Sequence, residues 1–151
     1  MGYDPAVPEV LVSSVIGAPI AQAWEAIRRF DSVVDVLPFV ESSPLEAGEA
    51  TEVGAIRVVT QDDGGVFREV LVEHSDAEHF YSYTFVDSPI PVRNHRTTLR
   101  LREITDGDRT LGEWSSRFEI AQDQESQLVG MMETNFLTGL RAVDERLSSA
   151  E

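Results

Sequence analysis

Residues 123–147 read DQESQLVGMMETNFLTGLRAVDERL, and this stretch decides the fold because it holds the only long run of helical hydrophobic periodicity in the chain. Its apolar side chains recur at steps of three and four, whereas charged and amide side chains fill most of the remaining positions. The apolar stripe consists of Leu128, Met132, Phe136, Leu140, Val143 and Leu147. Asp123 is a suitable N-cap, and Arg141 and Arg146 lie towards the negative end of the helix dipole. The pattern predicts one long amphipathic helix, whose broad apolar face must be buried against a concave sheet.

The chain before this helix has the pattern of a β-rich domain. Residues 7–16 predict a first strand, and residues 20–30 and 31–37 predict two short helices, which begin after Pro19 and end before Pro38. Six further strands are predicted, at residues 39–45, 53–60, 66–74, 79–87, 95–104 and 110–120. Turn-type segments rich in Asp and Gly separate several of them, which favours antiparallel hairpins. We therefore expect an α+β fold in which seven antiparallel strands curve around the C-terminal helix, with two short helices between the first and second strands.

Composition excludes several kinds of chemistry. The 151 residues, which we expect to form one domain (1–151), contain no cysteine and no lysine, so disulfides, thiolate ligands and lysine Schiff bases are absent. The formal net charge of −15 repels phosphate backbones, and nucleic acid is not an expected partner. No segment approaches the roughly 20 apolar residues of a membrane span, and the first ten residues lack a secretory signal. We expect a cytoplasmic monomer or homodimer without a cofactor.

Strand alternation indicates which side chains point towards the helix. In residues 95–104 one face carries three arginines, which cannot all be buried unpaired, so the face that contains His95 must be the inner one. By the same alternation, and by choosing the bulkier aromatic face of residues 79–87, the inward side chains include Tyr83, Phe85, His95, Trp114 and Phe118. Residues 66–74 carry one charge on each face, so alternation alone leaves open whether Arg68 or Glu69 points inward.

Several local patches carry a family resemblance. They are Ala18-Pro19 followed by Trp24, Ile27 and Phe30; Gly54-Ala55-Ile56-Arg57; residues 67–71; Tyr83 with residues 88–92; and Trp114 with Arg117-Phe118. With the order of elements, these patches resemble the helix-grip fold of the START-like superfamily, which includes birch-pollen-allergen-type proteins, polyketide cyclase/dehydratase-like proteins and plant abscisic-acid receptors. The resemblance implies a ligand cavity between sheet and helix.

The resemblance to the receptors also implies positions for individual residues. It places Glu69 in the cavity, His95 at the position of the receptors' cavity tyrosine, and Glu41 at the position of their cavity lysine. The receptors' gate loop corresponds to residues 61–66, and their latch loop corresponds to residues 88–92. Neither loop has the receptors' signature here, so we do not expect hormone reception.

The predicted ligand-binding residues are Glu41, Arg57, Glu69, Tyr83, Phe85, His95, Trp114, Phe118, Met132 and Phe136. A proline-rich apolar loop forms the predicted gate of the cavity and consists of Ser88, Pro89, Ile90, Pro91 and Val92. Two interpretations of Glu69 stay open, an ion pair with Arg57 or a contact to the ligand. His95 is either a hydrogen-bonded core histidine or a ligand-contacting group. His74 and His79 flank an acidic hairpin turn, where exposed side chains are expected and no metal site is predicted.

Functions of different kinds remain. The first is the binding or carrying of a hydrophobic small molecule, which is lipid-, polyketide- or isoprenoid-like. The alternative is a cyclase or dehydratase type of enzyme, in which Glu69 and His95 act as general acid and base on a carbonyl substrate. A third possibility is a cavity filled by side chains, with the exposed arginine face binding a partner. The volume and contents of the space between helix and sheet distinguish these three functions.

Overall fold

The computed structural model describes residues 4–148. It contains two α-helices, α1 (Ile20–Ile27) and α2 (Glu125–Ser148), and two 3₁₀ helices, Phe30–Asp35 and Gln122–Gln124. The strands are β1 (Pro5–Ala6), β2 (Glu9–Ile16), β3 (Val40–Ser42), β4 (Leu45–Ala47), β5 (Ile56–Gln61), β6 (Val66–Ser75), β7 (Phe80–Asp87), β8 (Arg93–Ile104) and β9 (Arg109–Ala121). The long C-terminal helix predicted from the hydrophobic stripe is confirmed.

All nine strands in residues 4–148 belong to one antiparallel sheet. Its order is β1-β9-β8-β7-β6-β5-β3, with β2 also paired to β9 and β4 also paired to β5. The helix-grip architecture is confirmed, but the predicted count of seven strands is wrong. The first predicted strand corresponds to β2 and is preceded by the short strand β1, which was not predicted, whereas the second predicted strand divides into β3 and β4 at Ser43-Pro44. Proline has no N–H for a strand ladder, and the buried Ser43 hydroxyl bonds to the 3₁₀ helix through Val34 N and Asp31 O.

The two short helices differ in length from the prediction. α1 ends at Ile27 instead of residue 30, and the second helix is a 3₁₀ segment at Phe30–Asp35 instead of residues 31–37. The end of α1 is attached to the β6–β7 hairpin, because Trp24 Nε1 and the Arg28 guanidinium both donate to the Asp76 carboxylate at 2.8 to 3.1 Å. Arg29 then leaves the helix in an extended conformation.

Bulges in three of the long strands bend the sheet. The register shifts place an extra residue in β6 near Val72, in β7 near Val86, and in β8 within residues 93–96. A bulge increases local twist and re-aims the neighbouring side chain. The β8 bulge includes Asn94, whose φ of 50° lies in the left-handed region that asparagine tolerates. His95, the next residue, is therefore positioned by an irregularity of the strand.

Two glycines allow α2 to lie very close to the sheet. A Cβ on Gly139 would be 2.6 Å from Cζ3 of Trp114 and 2.7 Å from Cδ2 of Leu37. A Cβ on Gly112 of β9 would be 2.8 Å from Cδ2 of Leu140. Carbon atoms in van der Waals contact are roughly 3.5 to 4.0 Å apart, so neither position has room for a larger residue. This contact fixes the distance between helix and sheet.

We expect Gly139→Ala to destabilise the protein by about 1 to 3 kcal/mol, because the added methyl group would overlap the Trp114 ring. Gly130→Ala is the matched control in the same helix. A Cβ there has no atom within 4 Å, so better helix propensity should stabilise the protein by about 0.5 to 1 kcal/mol. Chemical denaturation measures both free energies of unfolding. A stabilised Gly139→Ala variant would mean that α2 lies farther from the sheet.

Candidate functional site

A pocket of about 90 Å³ lies between α2 and the concave face of the sheet. Eight of the ten predicted ligand-binding residues line it: Arg57, Glu69, Tyr83, Phe85, His95, Trp114, Met132 and Phe136. The lining residues outside the predicted ligand-binding set and the predicted gate are Val33, Leu37, Phe39, Val40, Val59, Gln61, Phe67, Thr97, Met131 and Asn135. Alternation could have added Val59, Phe67 and Thr97 to the set, because each lies two residues from a predicted lining residue on the same strand face.

Two predicted ligand-binding residues lie elsewhere. Glu41 is exposed on β3, where its neighbour Val40 takes the inward position, so the placement of Glu41 in the cavity is corrected. Phe118 points inward, as alternation predicted, but it is fully buried against Val10, Leu128 and neighbouring side chains. There, Leu128 and Met132 of α2 pack in the same hydrophobic cluster as Phe118, which does not line the pocket. Glu41 is therefore a surface residue, and Phe118 is a core residue.

Arg57 and Glu69 form a buried ion pair in the pocket wall. They face each other across β5 and β6, and Arg57 Nε donates to Glu69 Oε1 at 2.7 Å. Arg57 Nη1 donates to the Phe30 carbonyl oxygen at 2.8 Å. The guanidinium also contacts the rings of Phe30 and Tyr83, at 4.0 and 4.5 Å from their centroids. Of the two interpretations of Glu69, the structure contains the ion pair, and the carboxylate still lines the pocket.

The burial of this pair acts on both ionisation equilibria. Burial raises the pKa of Glu69, and the adjacent guanidinium opposes that rise. For Arg57, burial alone would lower the pKa, but attraction to Glu69, the hydrogen bond to Glu69 and the hydroxyls of Tyr81 and Tyr83 together outweigh it and hold the pKa above its ordinary value. Arg57 is thus a permanent cation with its compensating charge directly across the strand pair.

His95 enters the pocket wall from the β8 bulge. Its ring stacks on Phe85, with centroids 3.7 Å apart and planes within 8°. Its Nε2 is 2.6 Å from Thr97 Oγ1, and that hydroxyl is 2.9 Å from Ser116 Oγ. Its Nδ1 is buried and has no hydrogen-bond partner among residues 4–148. Burial lowers the pKa of His95 to about 4, so the imidazole is neutral at physiological pH.

An aromatic wall completes the interior. Trp114 stacks on Phe136 of α2 at 5.1 Å between centroids, and its Nε1 donates to the Tyr83 hydroxyl at 3.3 Å. Burial raises the pKa of Tyr83, and the negative charge of Glu69 raises it further. Tyr83 therefore keeps its phenolic proton. The Tyr83 hydroxyl and the Trp114 N–H are the polar groups of this aromatic wall, and they bond to each other.

The rim of the pocket is formed by Ile90 and Met131. These two side chains also line two hollows outside the pocket, of about 210 and 430 Å³. The predicted gate loop runs between β7 and β8, outside both strands. Within it, Pro91 borders the smaller hollow, Pro89 borders the larger one, Val92 packs on the core, and the Ser88 hydroxyl donates to Ile90 O at 3.2 Å. Only Ile90 of the five gate residues lines the pocket itself.

The two histidines of the β6–β7 hairpin are ordered by packing. Their rings lie 5.5 Å (His74) and 5.7 Å (His79) from Trp24, and His74 Nε2 is 2.7 Å from Arg28 O. Exposed, unorganised side chains were expected there, and the contact with Trp24 corrects that expectation. Within residues 4–148, no three His, Cys, Asp or Glu side chains are grouped so as to hold a metal ion. The same residues include no helix with the length and hydropathy needed to cross a bilayer.

The sequence has relatives that agree with this architecture. Residues 8–148 match the family described as polyketide cyclase / dehydrase and lipid transport. The chain belongs to this family. Abscisic acid receptor PYL10 from Arabidopsis thaliana is 30% identical over 98 residues, which are 63% of this chain and 53% of the receptor. The chain therefore matches about half the length of that receptor.

Solved structures also resemble this member of the family. The protein XoxI from Bacillus cereus is 28% identical, with a TM-score of 0.83 over 91% of this chain and 94% of that chain. A protein from Thermobifida fusca is 26% identical, with a TM-score of 0.86 over 95% of each chain. The resemblance to START-like proteins predicted from the sequence is confirmed by these matches.

We expect Arg57→Met to destabilise the protein by about 3 to 5 kcal/mol at neutral pH, because Glu69 would be left as an unpaired buried carboxylate. The loss should shrink as the pH is lowered, since protonation of Glu69 removes that charge. The double variant Arg57→Met/Glu69→Leu is the control and should be more stable than Arg57→Met. Urea denaturation measures the free energies of unfolding of the wild type, the single variant and the double variant. A single-variant loss below about 1 kcal/mol would contradict the ion pair.

His95 should make stability depend on pH. Its folded pKa of about 4 lies below the ordinary 6.5, so the unfolded chain binds more protons between these values. The contribution of neutral His95 is complete above pH 6.5 and is lost as the pH falls towards 4. Between pH 7.5 and 4.5, the wild type should lose about 2 to 3 kcal/mol more stability than His95→Asn. Equal losses in both proteins would show that His95 is not buried as a neutral ring.

Proposed function

We propose that this protein binds or carries a hydrophobic small molecule, which is lipid-, polyketide- or isoprenoid-like, in the pocket between the sheet and α2. The observation that carries the proposal is the composition of the pocket wall. Aromatic and aliphatic side chains dominate it, and a few polar groups converge on the interior, which is typical of ligand sites. The description of the family, which includes lipid transport, supports the same conclusion. We propose further that the protein acts in the cytoplasm as a monomer or homodimer.

The size of the pocket constrains how a ligand enters. Its volume of about 90 Å³ is small beside the roughly 300 to 1,000 Å³ of sites for drug-sized ligands. Ile90 and Met131 lie between the pocket and the 430 Å³ hollow beside residues 61–65. Rotation of the unbranched Met131 side chain, which is 43% exposed, would join the two spaces and bring the volume into that range. We infer that the ligand displaces this rim.

The enzyme alternative has less support from the site. A general acid and base work best with pKa values near the operating pH. The Glu69 carboxylate is paired with Arg57, and the His95 pKa of about 4 makes the imidazole a weak base. Within residues 4–148 no hydrogen bond or ion pair joins Glu69 to His95. These groups are better suited to orienting a ligand than to transferring protons to it.

The interaction-only alternative has a different weakness. It requires a grip filled by side chains, whereas the space between α2 and the sheet holds a pocket with polar groups in its wall. On the outer face, Arg96 and Arg102 are engaged by Glu73 and Glu113, and Arg100 lies over the Phe80 ring. This arrangement of the predicted arginine face is that of a solvated sheet exterior.

Blocking the pocket should abolish binding. Val59 lines the pocket, whereas its neighbour Val58 points to the other face of β5, so Val59→Phe and Val58→Phe form a matched pair. We expect Val59→Phe to weaken binding of the neutral fluorescent probe N-phenyl-1-naphthylamine at least tenfold, and Val58→Phe to leave it unchanged. Fluorescence titration measures the affinities, and circular dichroism checks that each variant folds.

Native mass spectrometry of freshly purified protein complements the titration, because a retained hydrophobic compound would identify the ligand directly. A folded Val59→Phe variant that binds the probe as tightly as the wild type would exclude this pocket as the binding site. Loss of binding in Val58→Phe alone would place the site on the outer face of the sheet.

A further inference from the structure

The charges in the pocket wall cancel. Among the lining residues that the structure describes, the only charged side chains are Arg57 and Glu69, and they are paired at 2.7 Å. Arg57 also donates to the Phe30 carbonyl oxygen, and two aromatic rings contact its guanidinium. The other basic group of the wall, His95, is a neutral imidazole stacked on Phe85. The wall therefore has no uncompensated positive charge to offer an anion.

The route into the pocket also lacks positive charge among the described residues. In the part of the chain that the structure describes, the two hollows beyond Ile90 and Met131 include no basic side chain, and one of them includes Asp63. A ligand carboxylate would pass this acidic group and then meet Glu69. Like charges repel strongly where water is excluded, so the carboxylate would have to become protonated or stay outside.

Two polar groups remain able to bind a ligand. The hydrogen bond to the Glu69 carboxylate within residues 4–148 is made to Oε1, which leaves Oε2 as an acceptor. The Tyr83 hydroxyl accepts from Trp114 Nε1 and keeps its own proton to donate. Tyr83 faces Leu71 across β6 and β7, two residues along the strand from Glu69, so the two groups are diagonal neighbours on one face. An acceptor and a donor thus belong to diagonal neighbours that both line the pocket.

We propose that the pocket selects neutral molecules that carry a hydroxyl group on an apolar or aromatic body, and that it rejects carboxylates. A single ligand hydroxyl can donate to Glu69 and accept from Tyr83, whereas a carbonyl can only accept. The rings of Phe85, Trp114 and Phe136 then contact the body of the ligand. This inference rests on the proposed function, because it names the chemical class of the ligand for the same pocket.

Three probes with one ring system test the selection. 2-Naphthol, 2-methylnaphthalene and 2-naphthoate would each be titrated against protein that contains N-phenyl-1-naphthylamine at neutral pH, where the naphthol is neutral and the naphthoate is ionised. We expect 2-naphthol to bind at least tenfold more tightly than 2-methylnaphthalene. We expect 2-naphthoate to bind at least tenfold more weakly than 2-methylnaphthalene.

Variants assign the selection to named groups. Glu69→Gln removes the negative charge and leaves Arg57 uncompensated, so the preference for 2-naphthol over 2-naphthoate should fall at least tenfold. Glu73→Gln is the control, because it removes the same charge from an exposed position of the same strand and should leave the preference unchanged. If Glu69→Gln does not fold, Tyr83→Phe provides the second test. Tyr83→Phe should weaken the binding of 2-naphthol severalfold and leave the affinity for 2-methylnaphthalene unchanged.

The outcomes separate the inference from the proposed function. If 2-naphthoate binds the wild type as tightly as 2-naphthol does, the inference is overturned, while binding of a hydrophobic molecule stands. If 2-naphthol binds no more tightly than 2-methylnaphthalene, the proposed role of Glu69 and Tyr83 is overturned, while binding of a hydrophobic molecule again stands. If none of the naphthalenes and no N-phenyl-1-naphthylamine bind, the proposed function fails and the inference fails with it.

Discussion

The buried ion pair between Arg57 and Glu69 is the interaction on which the pocket depends. Two charges can leave water only where each compensates the other and the remaining donors find acceptors. Arg57 meets this condition by bonding both Glu69 and the Phe30 carbonyl oxygen, so one side chain connects β5, β6 and the first 3₁₀ helix. The aromatic rings around its guanidinium belong to that 3₁₀ helix and to β7. The wall of the pocket is therefore assembled around a charge that is already neutralised.

The space itself results from two opposing features of the packing. At Gly139, α2 lies so close to the sheet that a side chain at this position would overlap the Trp114 ring. One to two turns earlier, the same helix presents Met131, Met132 and Phe136, while bulges in β6, β7 and β8 curve the strands. The helix and the curved sheet therefore touch at Gly139 and again, near the start of the helix, where Leu128 packs with Phe118. The pocket lies between these two contacts.

The sequence predicted the features that repeat and missed those that occur once. Hydrophobic periodicity identified α2, and alternation assigned Tyr83, His95 and Trp114 to the inner face, because each pattern is sampled many times along an element. The division of strands at Ser43-Pro44 depends on the proline, which the sequence shows, and on a single buried hydroxyl bonded to a helix, which no local pattern reveals. Phe118 was given the correct direction, but only packing against α2 decides whether an inward side chain meets a cavity or a neighbour. Glu41 was placed by resemblance alone, and alternation with Val40 puts it on the surface.

The hydrogen bonds that join His95, Thr97 and Ser116 have a preferred donor-to-acceptor direction. Heavy atoms at 2.6 and 2.9 Å allow the protons of His95, Thr97 and Ser116 to be arranged in either of two senses. A buried N–H without an acceptor is rarer in proteins than an unused lone pair, so the sense in which Nε2 donates to Thr97 is favoured and Nδ1 keeps the lone pair. Thr97 then donates to Ser116, and this fixes the rotor of the Thr97 hydroxyl. A valine at position 97 would keep the shape of threonine but leave both imidazole nitrogens without a partner. The Thr97 hydroxyl thus fixes the tautomer of His95. It also gives the buried imidazole the hydrogen bond that allows it to lie in the core.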